Sequence, residues 1–311
     1  MLGEIRLISI IGAGRVGTIT ALNILRMHVA DITLIDIVDK LAEGEAMDMI
    51  QASPILRFDG KIKGSTNFED LKGSELVIII AGAARKPGTS RLDLTRTNAK
   101  IISSIVEKIV KYAPKCKIMM VTNPVDIMTY IAFKKSGFEK NRIFGMGGLL
   151  DTLRYSSLIA NEVGISGEEV NGFVIGEHGD HMIPLTDYTS VSGIPIKCLM
   201  KKDRIEKIVE KTKTGGMDVI SRKGSTVYGP SSAIAFMVES ILKGKNRIVS
   251  ASVIPDGEYD LKDIAIGLPI ILGKNGVEKI IELDFNGEIR KKLLDAASII
   301  KSSISDVKGY F

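Results

Sequence analysis

Glycines and one acid near the start of the chain have the spacing of a dinucleotide site. Gly12, Gly14 and Gly17 follow an apolar run in the pattern G-x-G-x-x-G, and Asp36 closes the next apolar run. Such glycines permit a tight turn, close approach of the backbone to a pyrophosphate, and close packing of a helix on a strand. Asp36 is then placed to accept the adenosine ribose hydroxyls, whereas a glycine turn that merely connects strand and helix leaves this acid unexplained.

The same segment indicates which dinucleotide binds. A carboxylate at position 36 repels a 2′-phosphate, and neither Ile37 nor Val38 supplies a cation to bind one. We therefore expect NAD rather than NADP. The residues expected to contact it in this segment are Gly12, Ala13, Gly14, Arg15, Val16, Gly17 and Asp36.

Two of the three histidines lie in one short stretch, the sequence G-E-H-G-D-H at residues 176–181. Two histidines and two acids could bind a metal ion, but their spacing and the lack of a nearby cysteine do not match a metal site. We expect no metal. A histidine that a carboxylate from elsewhere in the chain orients, acting as an acid–base catalyst, is the better interpretation.

A loop after the fourth predicted strand, residues 82–93, contains Arg85 and Arg91 together with glycine and proline. Guanidinium groups suit the planar recognition of a carboxylate and the polarisation of a carbonyl. The glycines would let such a loop close over a ligand as a lid. Taken alone, two loop arginines are more often surface residues that favour solubility.

Three shorter polar features complete the candidates. They are Asn123 at the end of the fifth predicted strand, Asp151 with Arg154 on one helical face, and the turn 223–226 that contains Thr226. The asparagine amide could hold a substrate oxygen, and the turn could line a pocket. In isolation, the first and last are ordinary polar turns and the acid–arginine pair is an ordinary surface ion pair.

Alternating strands and helices must position these residues. Six apolar runs in the first half are predicted strands separated by amphipathic segments, which indicates an α/β fold with a doubly wound parallel sheet of the Rossmann type. Its ligand is expected at the carboxyl ends of the strands, where Gly82, Asn123 and residues 145–148 lie. After residue 148 the pattern becomes mixed α+β, so we expect a dinucleotide-binding domain over 1–148 and a substrate domain over 149–311.

Several elements of the second half are predicted from local pattern. Asp151 is expected to cap a helix that runs to residue 163, and residues 187–191 are expected to form a strand. Residues 248–272 are rich in hairpin signals, and residues 283–303 are expected to form a terminal helix. Because no flexible linker separates the halves, we expect them to share a large interface.

The composition of the 311 residues, 45% hydrophobic and 25% charged, is that of an ordinary globular protein. No apolar run approaches the ~18 residues of a membrane helix, and the first strand begins too early to leave room for a signal peptide. With only two cysteines, a cytoplasmic protein is expected. The net charge of +5 is scattered and tryptophan is absent, so neither nucleic acid nor membrane is an expected partner, although the charge could help steer anionic substrates.

Together these motifs resemble the lactate/malate dehydrogenase family, in order and spacing, over the whole chain. The matching segments are residues 12–17, 36, 81–91, 121–125, 151–154, 177–180 and 224–226. Each is weak alone, but the combination is specific. The resemblance implies an enzyme that transfers hydride between NAD and the C2 carbon of a 2-hydroxy acid.

The resemblance also implies residue roles. His178 is similar to the family's proton acceptor and donor, with Asp151 as its carboxylate partner, and Arg154 would bind the substrate's C1 carboxylate. Arg91 would polarise the reacting carbonyl from the lid. The remaining implied contacts are Asn123 and Thr226 with the substrate, and Ala81, Gly82, Asn98, Val121, Thr122 and Asn123 with the cofactor.

Arg85 stands where malate-converting members of the family carry arginine and lactate-converting members commonly carry glutamine. The substrates implied are thus the dicarboxylates (S)-malate and oxaloacetate. Residues 149–152 and 176–179 resemble the lactate-dehydrogenase-like branch of the malate enzymes, which implies a homo-tetramer, with a homodimer as the alternative. Thr89, His181 and Thr226 depart from the usual malate pattern.

Three other functions stay open at this point. One is an L-lactate or broader 2-hydroxyacid dehydrogenase. Another is a catalytically silent NAD-binding protein, which is disfavoured because every catalytic position is filled. An NAD-using glycosidase of related fold would be expected to be longer and to contain a Cys/His metal pair.

Overall fold

The computed structural model describes residues 6–83 and 90–311, apart from the side chain of Arg91. The first half alternates strands and helices in the order that the apolar runs predict. The strands are β1 Leu7–Ile11, β2 Asp31–Ile35, β3 Ile62–Ser65, β4 Leu76–Ile79, β5 Lys117–Met120 and β6 Ile143–Gly145. The helices are α1 Arg15–Arg26, α2 Leu41–Leu56, α3 Arg91–Tyr112 and α4 Val125–Ser136.

These six strands form a parallel sheet in the order β3-β2-β1-β4-β5-β6. Isoleucine, leucine and valine dominate the strands, and Leu76–Ile79 is buried throughout, because helices cover both faces of a parallel sheet. The order reverses at β1, so the predicted doubly wound α/β arrangement is confirmed.

The second half is a mixture of short strands and long helices, as the change of pattern after residue 148 predicts. Its helices are α5 Gly148–Val163, α6 Ile196–Leu199, α7 Lys202–Lys223, α8 Tyr228–Lys243 and α9 Gly287–Ser305. Its strands are β7 Val170–Asn171, β8 Val174–Gly176, β9 Met182–Pro184, β10 Ser190–Val191, β11 Ile194–Pro195, β12 Arg247–Val253, β13 Ile266–Gly273 and β14 Gly276–Ile280.

Three local predictions in this half were wrong. Asp151 does not cap α5, because the helix begins earlier, with Gly147 as its N-cap and Asp151 inside its first turn. Residues 187–191 do not form one strand, since a 3-10 turn takes Thr186–Tyr188 and only Ser190–Val191 is extended. The terminal helix begins at Gly287, where the Asn286 side chain accepts a hydrogen bond from the Ile289 N–H and provides the cap that residues 283–285 lack.

One sheet joins the two halves. In the part of the chain that is described it has eleven strands, and antiparallel β12 and β13 extend it beyond β6. Strand β8 pairs with β13 at Gly176–Gly267, so the residues that follow β8 come to the edge where β4, β5 and β6 end. One large buried apolar cluster contains side chains from both halves, which confirms the expected large interface, and a smaller cluster lies within the second half.

Over residues 6–83 and 90–311, none of the helices combines the length and the apolar composition that a crossing of the bilayer requires.

Candidate active site

The glycine motif forms the turn between β1 and α1, and two of its glycines are required by packing. Gly12 has a φ of +114°, and a Cβ there would lie 2.8 Å from the Ala81 nitrogen. A Cβ at Gly17 would overlap the Gly12 carbonyl oxygen. Gly14 is different, because a Cβ at this position would meet no atom within 4 Å. Its open face leaves the backbone free for a ligand to approach.

The start of α1 has the properties of an anion site. Gly14 is its N-cap, no side chain caps it, and its first turn contains no acid. The first N–H groups of the helix and its positive dipole end are therefore available to a phosphate. Arg15 is exposed and Val16 half-buried beside this end.

Asp36 lies at the end of β2, at the rim of the glycine turn. Its Oδ2 accepts a hydrogen bond of 2.7 Å from the Ala13 N–H, and Oδ1 accepts one of 3.0 Å from the Val38 N–H. Ile37 is 84% exposed, so the side chain next to this carboxylate is apolar and open to solvent. These residues fit the adenosine ribose of NAD, and the two side chains that follow Asp36, Ile37 and Val38, supply no cation for a 2′-phosphate.

Asn98 joins the ends of β4 and β5. Its buried amide accepts a hydrogen bond of 2.8 Å from the Ala83 N–H and donates one of 2.7 Å to the Asn123 carbonyl. The Thr122 hydroxyl donates to the Ala81 carbonyl at 2.7 Å. A Cβ at Gly82 would overlap Thr122. Four sequence-predicted cofactor residues are thus joined in two hydrogen-bonded pairs, Asn98 with Asn123 and Thr122 with Ala81. Together with Gly82 and half-buried Val121 they form one wall.

His178, Asp151 and Arg154 come together at the same edge of the sheet. The Asp151 carboxylate, 1% exposed, is shared between its two partners: Oδ2 lies 2.6 Å from His178 Nδ1 and Oδ1 lies 2.9 Å from Arg154 Nη1. The residues are supplied by the loop after β8 and by the first two turns of α5. The predicted contact between histidine and a distant carboxylate is present.

The acid determines the protonation of the histidine. Burial of the ring would lower the pKa of His178, but the charge of Asp151 and its hydrogen bond raise the pKa above the ordinary value. A carboxylate on Nδ1 also fixes the tautomer, because Nδ1 must then donate and Nε2 is left to exchange a proton with a ligand.

Glycines shape the space around both basic side chains. A Cβ at Gly147 would lie 3.0 Å from the Cβ and Cγ of His178. A Cβ at Gly216, on α7, would lie 3.2 to 3.3 Å from three guanidinium atoms of Arg154. Nothing in the local sequence signals either contact, because each joins segments that are distant along the chain.

The remaining predicted site residues are placed less fully. Thr226 is half-buried between α7 and α8. Among the described residues, its hydroxyl makes no hydrogen bond to His178, Asp151 or Arg154. Arg91 is the first residue of α3, but its side chain lies outside the description. Arg85 and Thr89 fall within residues 84–89 and also lie outside the described residues.

A buried acid that the sequence prediction overlooked also reaches the site. Asp126 is 3% exposed, and its Oδ2 accepts a hydrogen bond of 2.9 Å from the His178 main-chain N–H. Its position in the first turn of α4 is typical of an acid that stabilises a helix N-terminus, so no local pattern singles it out. Across residues 6–83 and 90–311, histidines, cysteines and acids form no group of three or more suited to a metal ion.

Two family models match the chain along almost its whole length. The model described as lactate/malate dehydrogenase, NAD binding domain, matches residues 6–145. The model described as lactate/malate dehydrogenase, alpha/beta C-terminal domain, matches residues 149–310.

Individual proteins agree with these models. Malate dehydrogenase of Bacillus subtilis (strain 168) is 44% identical over 299 residues, which are 95% of this chain and 96% of that protein. The structure of malate dehydrogenase from Picrophilus torridus in its apo form has a TM-score of 0.95 and 41% identity, and each chain is 98% covered. A lactate dehydrogenase from Cryptosporidium parvum, complexed with lactic acid and β-nicotinamide adenine dinucleotide, has a TM-score of 0.94 at 33% identity, again with 98% of each chain covered.

Proposed function

Because the chain belongs to the lactate/malate dehydrogenase family, we propose that it is an NAD-dependent malate dehydrogenase, which interconverts (S)-malate and oxaloacetate. The observation that carries this proposal is the buried Asp151 carboxylate shared between the His178 ring and the Arg154 guanidinium. It pairs a proton acceptor with a carboxylate-binding group at the sheet edge beside the glycine turn. A silent NAD-binding protein would have no need to bury these three groups together.

His178 exchanges the proton in this reaction. Its Nδ1 donates to Asp151, so Nε2 accepts the C2 hydroxyl proton of malate and returns it when oxaloacetate is reduced. The buried negative charge of Asp151 stabilises the imidazolium that forms. General acid–base catalysis of this kind typically contributes a factor of ~10²–10⁴ in rate.

Arg154 binds the C1 carboxylate of the substrate. Its Nη1 is held by Asp151, and the guanidinium retains further N–H donors for a ligand. Arg91 polarises the C2 carbonyl, and Asn123 and Thr226 contact the substrate; these roles rest on the family pattern. Arg91 then stabilises the charge that develops on the carbonyl oxygen.

NAD, when bound, takes up the hydride from C2 of malate. The residues that would hold it are those of the glycine turn, Asp36, and the wall formed by Ala81, Gly82, Asn98, Val121, Thr122 and Asn123. The uncapped start of α1 receives the phosphates, and Asp36 receives the adenosine ribose. We also propose the division into a dinucleotide-binding domain over 1–148 and a substrate domain over 149–311.

A lactate or broader 2-hydroxyacid dehydrogenase is the second candidate, and the Cryptosporidium parvum lactate dehydrogenase gives it a specific basis. We favour malate because Arg85 would bind the second carboxylate of oxaloacetate; this role rests on the sequence. A pyruvate methyl group offers no partner to that guanidinium, and the loss of one partner of a buried ion pair costs on the order of 3–5 kcal/mol. That cost corresponds to a preference of roughly 10²–10³-fold or more for oxaloacetate.

The test is NADH oxidation measured in parallel with oxaloacetate and with pyruvate. The wild-type enzyme should prefer oxaloacetate, and Arg85→Gln should lower kcat/KM for oxaloacetate and raise it for pyruvate, with the Kd of NADH little changed. Equal wild-type activity on both oxoacids would support the broader enzyme. Turnover of neither would leave only the silent NAD-binding protein.

We further propose that the protein forms homo-tetramers, with a homodimer as the alternative. Large apolar side chains stand exposed on α2, and the support comes from Met47 at 61%, Ile50 at 50% and Ile55 at 85% exposure. Sedimentation velocity should give a mass two or four times that of the 33.7 kDa chain.

A cytoplasmic location is proposed because Cys116 and Cys198 are free.

A further inference from the structure

A second buried acid contacts His178 at its main-chain N–H, whereas the acid of the family pattern contacts the ring. Asp126 lies in the first turn of α4, three residues after Asn123, and its side chain is 3% exposed. Its Oδ2 accepts a hydrogen bond from the His178 main-chain N–H at 2.9 Å. Within the described residues, its Oδ1 is buried without a hydrogen-bond partner.

The contact links the two halves of the site. Helix α4 follows the Asn123 turn, which the Asn98 amide holds at 2.7 Å, whereas His178 follows β8 in the second half. Asp126 therefore ties the helix that follows the Asn123 turn to the loop that carries His178. Without it, the half-buried His178 N–H would lose this hydrogen-bond acceptor.

The charge of this acid also acts on the ring. Burial raises the pKa of Asp126 to about 6. The Ser252 hydroxyl, the hydrogen bond from the His178 N–H and the charge on His178 oppose that rise, whereas the charge of Glu177 adds to it. The interaction is reciprocal, since Asp126 is among the groups that raise the pKa of His178. Each group therefore favours the charged form of the other.

Other charged groups face this pair. Glu177 and Asp306 line the same 220 Å³ cavity as Asp126 and His178, Glu177 from the loop after β8 and Asp306 from the end of α9. From α5, Asp151 contacts the ring at Nδ1, and Arg154 contacts Asp151. Asp306 is exposed, so water screens its charge far more than it screens that of Asp126.

We propose that Asp126 is a positioning residue for the reaction, which holds the main chain of His178 at a set distance from Asn123 and places a second buried negative charge near the imidazole. The inference rests on the proposed function for its effect on turnover. Its effect on the free protein is independent of any substrate.

The first test is a titration of the free full-length protein by NMR, with ¹³C-labelled histidine. The chain has three histidines, and His28→Gln and His181→Gln assign the signals. Asp126→Asn removes a charge that favours the imidazolium, so the pKa of His178 should fall, by about 1 unit. The matched control Asp306→Asn, the same chemical change in the same cavity, should leave it unchanged. An unchanged pKa of His178 in Asp126→Asn overturns the proposal.

The second test compares two substitutions by kinetics. Asparagine keeps an acceptor for the His178 N–H, whereas alanine removes it. Asp126→Ala should lower kcat for malate oxidation by roughly tenfold or more, because a small displacement of a catalytic group is costly, with the Kd of NADH unchanged. Asp126→Asn should restore most of that loss and shift the acidic limb of the kcat/KM profile to lower pH. Equal loss in both variants contradicts the positioning role.

The design separates this inference from the proposed function. Wild-type enzyme that turns over neither malate nor oxaloacetate would defeat the proposed function and leave the NMR result standing. Should Asp126→Asn fail to fold, the ¹³C carboxyl titration of Asp126 takes its place. His178→Gln removes the imidazolium, so the pKa of Asp126 should then rise, and no rise overturns the proposal.

Discussion

At the scale of single residues, the site depends on one buried charge, the Asp151 carboxylate, which two basic side chains share. Asp151 has two oxygens and two cationic partners, so His178 and Arg154 are coupled through it. Loss of the carboxylate would free both partners at once. Neither basic side chain can therefore be understood from its own contacts alone.

Asp151→Asn should depress turnover by about 10²–10⁴-fold, because the imidazolium loses its counter-charge and its fixed tautomer. His178→Gln should lose a similar factor. Since the two act as one unit, the double variant should be little worse than the poorer single variant. The measurement is kcat in all four forms, with the Kd of NADH as the control for folding. Losses that multiply strictly would mean that the two residues act independently.

Asp36 gives a second prediction at this scale. Asp36→Ser combined with Ile37→Arg should shift kcat/KM from NADH towards NADPH, because it removes a repulsive charge and adds a phosphate partner. Ile37 is exposed, so the change needs no repacking. Ile37→Arg alone is the control and should shift the preference less. Wild-type enzyme that already favours NADPH would refute the role given to Asp36.

At the scale of elements, α7 packs against Arg154, the arginine proposed to bind the substrate's C1 carboxylate. Gly215 and Gly216 are adjacent in the helix, but only Gly216 faces the guanidinium of Arg154. A Cβ at Gly215 would lie 3.9 Å from Arg154 Cδ, an ordinary contact. The same substitution, glycine to alanine, can therefore be compared at two adjacent positions, of which one faces the guanidinium.

Gly216→Ala should raise KM for oxaloacetate by roughly tenfold, because the guanidinium must move to accept the methyl group. Gly215→Ala should leave KM unchanged. Both should raise the helix propensity of α7, by about 1 kcal/mol, so a lower melting temperature is not expected to explain the kinetic difference. Steady-state kinetics with thermal melts of both variants decides, and equal KM values would show that Arg154 does not rest on Gly216.

The elements also show where sequence reasoning reaches its limit. Periodicity predicts the strands and helices of the first half because each is a local pattern with a buried face. It fails for residues 187–191, the sequence D-Y-T-S-V, where the end of a 3-10 turn is followed by a two-residue strand. The pairing of His178 with Asp151 followed from family resemblance, whereas Asp126, Gly147 and Gly216 act through contacts between distant segments, which no local pattern records.

At the scale of the whole molecule, the two halves are joined by a shared sheet and a shared buried core. Strand β6 of the first half pairs with β12 of the second at Gly145–Ser252, and one buried core extends through both. The Ser231 hydroxyl of α8 also donates to the Val16 carbonyl of α1 at 3.1 Å. Neither half could unfold without exposing the apolar surface of the other.

Calorimetry should therefore show one cooperative unfolding transition for the chain. NAD at 100 times its Kd should increase the free energy of unfolding of the entire chain by about 2.7 kcal/mol, although its contacts lie in the first half. Protein concentration must be held constant, because assembly also stabilises. Two transitions, of which NAD moves only the first, would show that the halves fold independently.

The glycine turn also bears on how this sequence can drift over generations. Gly12 and Gly17 have backbone where a side chain would be, so every descendant that keeps the architecture must keep them. Gly14 faces open space, and only the approach of a ligand forbids a larger residue there. A lineage that no longer bound the dinucleotide could accept a larger residue at position 14, but it would still need glycine at positions 12 and 17. A substitution at the middle glycine would thus indicate a loss of ligand binding, whereas a substitution at either outer glycine would indicate a change of fold.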